Sequence, residues 1–127
     1  YQCVLCKRLM LRTAQAVARR VDASGIVMGD SLGQVASQTL NNIRAEQHGL
    51  QLPVLRPLIG FDKLEIERIA KSIGTYDISI MSDGGKDCTA VPARVVTNAS
   101  VREIMEEEAK VDLEAMALSS ANKAVRV

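Results

Sequence analysis

Apolar and polar positions change their period several times along this chain, and each change marks an element. From Lys7 to Val21 the residues Leu9, Met10, Ala14, Val17, Ala18 and Val21 recur near helical spacing, with Arg8, Arg12, Arg19 and Arg20 between them. This predicts an amphipathic helix that begins just after the C-x-x-C formed by Cys3 and Cys6. The run GIVMGDS, opening at Gly25, is apolar and β-branched and is closed by Gly29, which is the pattern of a buried parallel strand. A second helix is predicted from Gly33 to Gln47, and LPVLRPL reads as a second strand whose prolines mark its ends or an edge.

The segment FDKLEIERIAKSIG carries the clearest helical signal. Asp62 stands at the N-cap with Glu65 three residues on, Leu64, Ile66, Ile69, Ala70 and Ile73 form the apolar stripe, and Gly74 stops the helix. YDISI is expected to be a brief strand or an extended lead into a loop. Residues Ser82 to Pro92, SDGGKDCTAVP, read as an ordered surface loop holding Cys88. A last helix is predicted from Ser100 to Leu118, with Ser100 and Glu103 as a capping box and Glu106, Glu107 and Glu108 on its solvated side. Helices alternating with strands imply an α/β layer on an open, mostly parallel, Rossmann-like sheet, and a sheet that begins on a helix implies a missing N-terminal βα unit.

Composition narrows the field. A chain of 127 residues with 47% hydrophobic and 24% charged residues fits one folded domain and excludes a disordered chain. No apolar run is long enough for a membrane span, and no signal-peptide pattern stands at the start, so the expected location is the cytoplasm. The odd count of 3 cysteines argues against a disulfide scaffold and toward metal or thiol chemistry. With a net charge of +1 and only Tyr1, Phe61 and Tyr76 as aromatics, neither bulk charge nor base stacking would hold a nucleic acid.

Two places bear chemistry. The turn MGDSLGQVASQ lies where a strand end meets a helix start, the crevice in which open α/β sheets bind ligands; it is neither a Walker loop nor G-x-G-x-x-G. Its spacing fits a plain structural turn as well as a nucleotide contact, and Ser37 and Gln38 fit either a ligand contact or the polar stripe of a helix. Cys3 and Cys6 fit a redox pair, half of a metal site, or core cysteines. A closed zinc site would need His48, the one histidine, which is expected on an exposed helix end, whereas three thiolates would suit an iron-sulfur cluster with one open iron. Lys86 near Cys88 would favour a thiolate, while Asp83 and Asp87 would oppose it.

The strings GDSLGQVASQTLNNI and LPVLRPLIGFDKLEIERIAKSIGTYDISI closely resemble the C-terminal half of the adenylating, PP-loop domain of ThiI-type tRNA 4-thiouridine synthetases, a resemblance running from about Cys3 to Pro92. It implies an adenine nucleotide alpha hydrolase-like fold and ATP, with Mg, activating a tRNA uridine carbonyl before sulfur displaces AMP. Carried over by residue, the ATP contacts would be Lys7, Gly29 and Gln38. Cys88 in KDCTAVP matches the family's sulfur-transfer cysteine, and the archaeal-type pattern implies Cys3, Cys6 and Cys88 as ligands of an iron-sulfur cluster. Further implied are tRNA binding through a THUMP module, a sulfur donor protein or sulfide, and a link to thiamine biosynthesis. The family's phosphate-gripping S-G-G-x-D-S loop, its THUMP module and a rhodanese domain are absent from these residues. That leaves three expectations: part of an adenylating sulfurtransferase domain, with a homodimer or a PP-loop partner completing it; a non-catalytic scaffold or sulfur-carrier module serving a separate PP-loop protein; or a catalytically dead domain whose retained pattern serves folding and dimer formation.

Overall fold

The computed structural model describes residues 1–81 and 92–125. In chain order the elements are α1 (Gln2–Arg20), β1 (Ile26–Val27), α2 (Leu40–Gln47), β2 (Val54–Leu55), α3 (Lys63–Ser72), α4 (Tyr76–Ser79), α5 (Val101–Glu108) and α6 (Leu113–Asn122). The strands are parallel, with Ile26 opposite Val54 and Val27 opposite Leu55, and α2 lies in the connection between them. This is the expected α/β arrangement, in which the carboxyl ends of both strands open on the same side.

α1 starts five residues earlier than the period predicted, so Cys3 and Cys6 fall within its first turns. No glycine or proline interrupts residues 1 to 20, and the buried positions Val4, Arg8, Leu11 and Ala18 extend one helical stripe through the cysteines. Val4 joins Ala45, Ala99 and Ile104 in a small core, flanked by Leu5, Val96 and Val101. α6 lies along α1 with Leu113, Ala117 and Ala121 buried at four-residue intervals, the two alanines letting the helices approach closely. Arg20 donates to the Ala121 carbonyl at 2.7 Å and ties the far end of α1 to α6.

Three other elements differ from the pattern. The predicted second helix begins only at Leu40, where the Thr39 hydroxyl accepts from the Asn42 amide. Residues 32 to 37 instead turn tightly, with Gly33 at φ 73°, a left-handed conformation that suits glycine. YDISI is a helical turn rather than extended. The last helix divides into α5 and α6. Leu113 follows Ile104 by nine positions, about half a turn off in a continuous helix, so both can be buried only if the chain bends. Asp112 then caps α6 by accepting from the Ala115 amide at 2.9 Å.

The Asp62 and Ser100 capping boxes form as the sequence predicts. The apolar stripe of α3 is only partly covered: Ile66, Ile69 and Ala70 are half-buried, Leu64 and Ile73 are exposed, and none is fully buried.

Candidate functional site

Asp30 stands three residues beyond β1 and is the hub of a polar cluster at the strand ends. Its side chain is only 4% exposed. Lys7 of α1 donates from Nζ to Oδ1 at 2.9 Å, and Arg56, immediately after β2, donates from Nε to Oδ2 at 2.9 Å. Gln38 reaches Oδ1 from the turn with its Nε2 at 3.4 Å. Burial pushes the Asp30 carboxyl up, but hydrogen bonds from Lys7 and Arg56, together with their charges, outweigh it and leave the group below its ordinary range.

A second acid, Glu46 of α2, lies 3.7 Å from Lys7 Nζ, and its side chain is fully buried. Burial raises its carboxyl; Lys7 opposes that rise and the charge of Asp30 adds to it. Arg56 also donates from Nη1 to Gln47 Oε1 at 2.8 Å. Four buried polar atoms here have no hydrogen-bond partner among the described residues: Gln38 Oε1, both Glu46 carboxylate oxygens and Arg56 Nη2.

The surrounding frame fixes the turn. Asn42, fully buried, donates to the Ser37 carbonyl at 2.9 Å and the Val96 carbonyl at 2.7 Å, and accepts from the Ala99 amide at 2.9 Å. Ser31 donates its hydroxyl to the Phe61 carbonyl at 2.6 Å, and the Leu32 amide donates to the Ile59 carbonyl at 3.1 Å. These bonds join the segment after β1 to the segment after β2.

Of the residues expected in the site, Lys7 and Gln38 therefore meet on one carboxylate, and Gly29 directly precedes it. A Cβ at Gly29 would meet nothing within 4 Å, so the backbone there is open to approach. Asp30, Glu46 and Arg56 were not singled out by the sequence. The signal for two of them was a lone charge at the end of an apolar run, Asp30 in GIVMGDS and Arg56 in LPVLRPL.

Cys3 is half-buried and Cys6 exposed, and both are free thiols. At i, i+3 on α1 they are surface neighbours, close enough to bind one partner together. Cys88 lies outside the described residues, so the geometry of the expected three-thiol set is not defined. Among the described residues, no group of three or more His, Cys, Asp or Glu side chains is arranged to hold a metal. His48 is the exposed C-cap of α2, as expected. No described helix is long and apolar enough to cross a membrane. Glu108 departs from its expected solvated position: its side chain is 12% exposed and accepts from Arg8 and Arg12.

Chemically, the cluster gathers groups able to engage a polar or anionic ligand. It offers an ammonium, a guanidinium N–H and an amide oxygen that have no partner among the described residues, and open backbone at a strand's carboxyl end. Two acids facing two bases leave little net positive charge, so the cluster alone is not a polyphosphate grip.

Residues 1–113 match the family described as thiamine biosynthesis protein (ThiI). The chain is similar to "Probable tRNA sulfurtransferase" of Methanosarcina mazei, 51% identical over 125 residues that cover 98% of this chain and 30% of the relative. The protein of that name in Methanothermobacter thermautotrophicus is 53% identical over 111 residues, 87% of this chain and 28% of the relative. Among solved structures, a crystal structure of a 4-thiouridine synthetase–RNA complex with bound ATP superposes with a TM-score of 0.86 at 34% identity. That match covers 95% of this chain and 32% of the solved one. The chain thus spans about 30% of the length of these relatives.

Proposed function

This chain belongs to the ThiI family, and on that premise we propose that it forms the C-terminal part of a PP-loop domain that adenylates a tRNA uridine and directs sulfur to it, yielding 4-thiouridine. The observation that supports this most is the convergence of Lys7 and Gln38 on Asp30 beside the open backbone of Gly29, in a chain similar to a synthetase solved with ATP. In this reading Lys7 offsets phosphate charge, Gly29 admits the nucleotide, and Gln38 supplies a buried amide oxygen that has no partner among the described residues. The phosphates, with Mg, require the S-G-G-x-D-S loop that lies outside these residues. tRNA would be held by a THUMP module, also outside them.

Cys88 is proposed as the sulfur-transfer thiol. Cys3 and Cys6 are proposed to share with it an iron-sulfur cluster, a role that two free thiols one turn apart on α1 would fit. Such a cluster, when bound, would supply an open iron able to carry sulfide, while the part of the chain's own side chains in α1 is to present two thiolates together.

Calorimetry of ATP with the full-length protein, beside Lys7→Met and Gln38→Ala, tests the nucleotide reading. Each variant is expected to weaken binding by roughly ten- to hundredfold, the worth of one charged or buried hydrogen bond. Wild-type affinity in both variants would refute it. Cys88→Ser should abolish 4-thiouridine in digested tRNA, read by mass spectrometry, with ATP binding retained. Visible absorbance after anaerobic iron and sulfide reconstitution should vanish in the triple serine variant, and a colourless wild type would remove the cluster.

A further inference from the structure

Glu46 is a buried acid at the site for which the nucleotide contacts provide no use. Its side chain is 0% exposed and both oxygens lack a hydrogen-bond partner among the described residues. The charged groups facing it are Lys7 from α1, Asp30 from the segment after β1, and Arg56 from the segment after β2. Lys7 lies nearest at 3.7 Å but gives its 2.9 Å hydrogen bond to Asp30 instead. Arg56 is committed to Asp30 and Gln47. Arg8, the other buried base of α1, is spent on Glu108 and on the carbonyls of Ala45 and His48. The compensation available to an ionised Glu46 therefore comes chiefly from an ammonium that it does not hydrogen-bond.

A buried carboxylate whose compensation is withdrawn takes up a proton rather than remain charged. An anionic group that draws on Lys7 withdraws that compensation and adds a second negative charge nearby. We propose that engagement of Lys7 by an anionic ligand is coupled to uptake of one proton from solvent by the Glu46 carboxylate, which becomes a neutral carboxylic acid. The proposal rests on the reading of Lys7 as a nucleotide phosphate contact. Glu46 is then a positioning residue: while ionised it draws on the charge of Lys7, and once neutral it leaves that ammonium to be shared by Asp30 and the ligand alone. The direction in which burial already moves its carboxyl agrees with this.

ATP binding to the full-length protein, measured by calorimetry in buffers of different ionisation enthalpy from about pH 5 to pH 8, counts the protons exchanged. The wild type should take up more protons than Glu46→Gln, by a difference that approaches one at its maximum, since protonation of ATP itself is common to both. Equal counts at every pH would overturn the proposal. A second measurement needs no nucleotide. In Lys7→Met, the Glu46 carboxyl followed by 13C NMR should titrate higher than in wild type, by on the order of one pH unit. An unchanged midpoint would overturn the coupling. If wild type gives no heat with ATP, the nucleotide reading fails, and the Lys7→Met titration still decides the link between Lys7 and Glu46.

Discussion

Replacing Arg8 should destabilise this fold more than replacing any exposed arginine, because one guanidinium serves three elements. Its side chain is 1% exposed. Nη1 donates to the Ala45 carbonyl at 2.5 Å and the His48 carbonyl at 3.0 Å, closing the last turn of α2, where the Ala45 carbonyl otherwise has only the His48 amide at 3.4 Å. Nε and Nη2 both meet Glu108 Oε2 at 2.5 Å and so hold α5. Arg8→Met keeps the apolar stem but strands the His48 carbonyl and half of an ion pair, while the Ala45 carbonyl keeps only the long 3.4 Å bond from the His48 amide and Arg12 stays 2.7 Å from the other Glu108 oxygen. Orphaned carbonyls cost about 1–3 kcal/mol each, and a broken buried pair about 3–5 kcal/mol when no partner remains. Because Arg12 persists, a total of about 3–5 kcal/mol is expected. For a domain of this size that corresponds to a fall in Tm of roughly 10–20 °C. Thermal unfolding of the domain in the full-length protein measures it. Arg8→Lys, which keeps charge but not the fork, should fall between. Arg8→Met with Glu108→Gln should lose less than the sum of the single changes, because no unpaired acid is left. A Tm for Arg8→Met within about 2 °C of wild type would refute the reasoning.

Asn42→Ala should cost about 3 kcal/mol by freeing the Ser37 and Val96 carbonyls and the Ala99 amide, read as a shifted urea midpoint at unchanged slope. Asp62→Ala should remove about 1 kcal/mol and speed amide exchange in α3. Asp30 and Glu46 should oppose each other in a stability-against-pH profile. The lowered Asp30 carboxyl stabilises the fold above its unfolded value, and that stability is lost as pH falls through its folded value. The raised Glu46 carboxyl favours the fold in acid, and that advantage is lost as pH rises through its folded value, so Glu46→Gln should be neutral or stabilising at pH 7 and show less loss on the alkaline side. Iodoacetamide should label exposed Cys6 before half-buried Cys3, as peptide mass mapping would show.

What could be read in advance was whatever depends on a few neighbouring residues. The Asp62 and Ser100 capping boxes are closed within four residues and needed no tertiary context. The extension of α1 through Cys3 and Cys6 depends instead on Val4 finding Ala45, Ala99 and Ile104, residues far along the chain. The bend between α5 and α6 carries no glycine or proline signal; it answers the need of Leu113 to face the core on the side opposite to a straight continuation. The site divides in the same way. Lys7, Gly29 and Gln38 came from family strings, while Asp30, Glu46 and Arg56 acquire their roles only when α1, α2 and the strand ends converge. Cys88 lies outside the described residues.

The two strands pair over only two residues each, too few for their own ladder to dictate alignment firmly. Successive side chains on a strand point to opposite faces, so a slip of one position would swing Arg56 away from Asp30 and leave two charges without each other in a poorly solvated place. The ion pair therefore acts as a locking pin for a sheet otherwise too short to choose its own alignment, and a misaligned sheet carries an electrostatic penalty that the correct one does not.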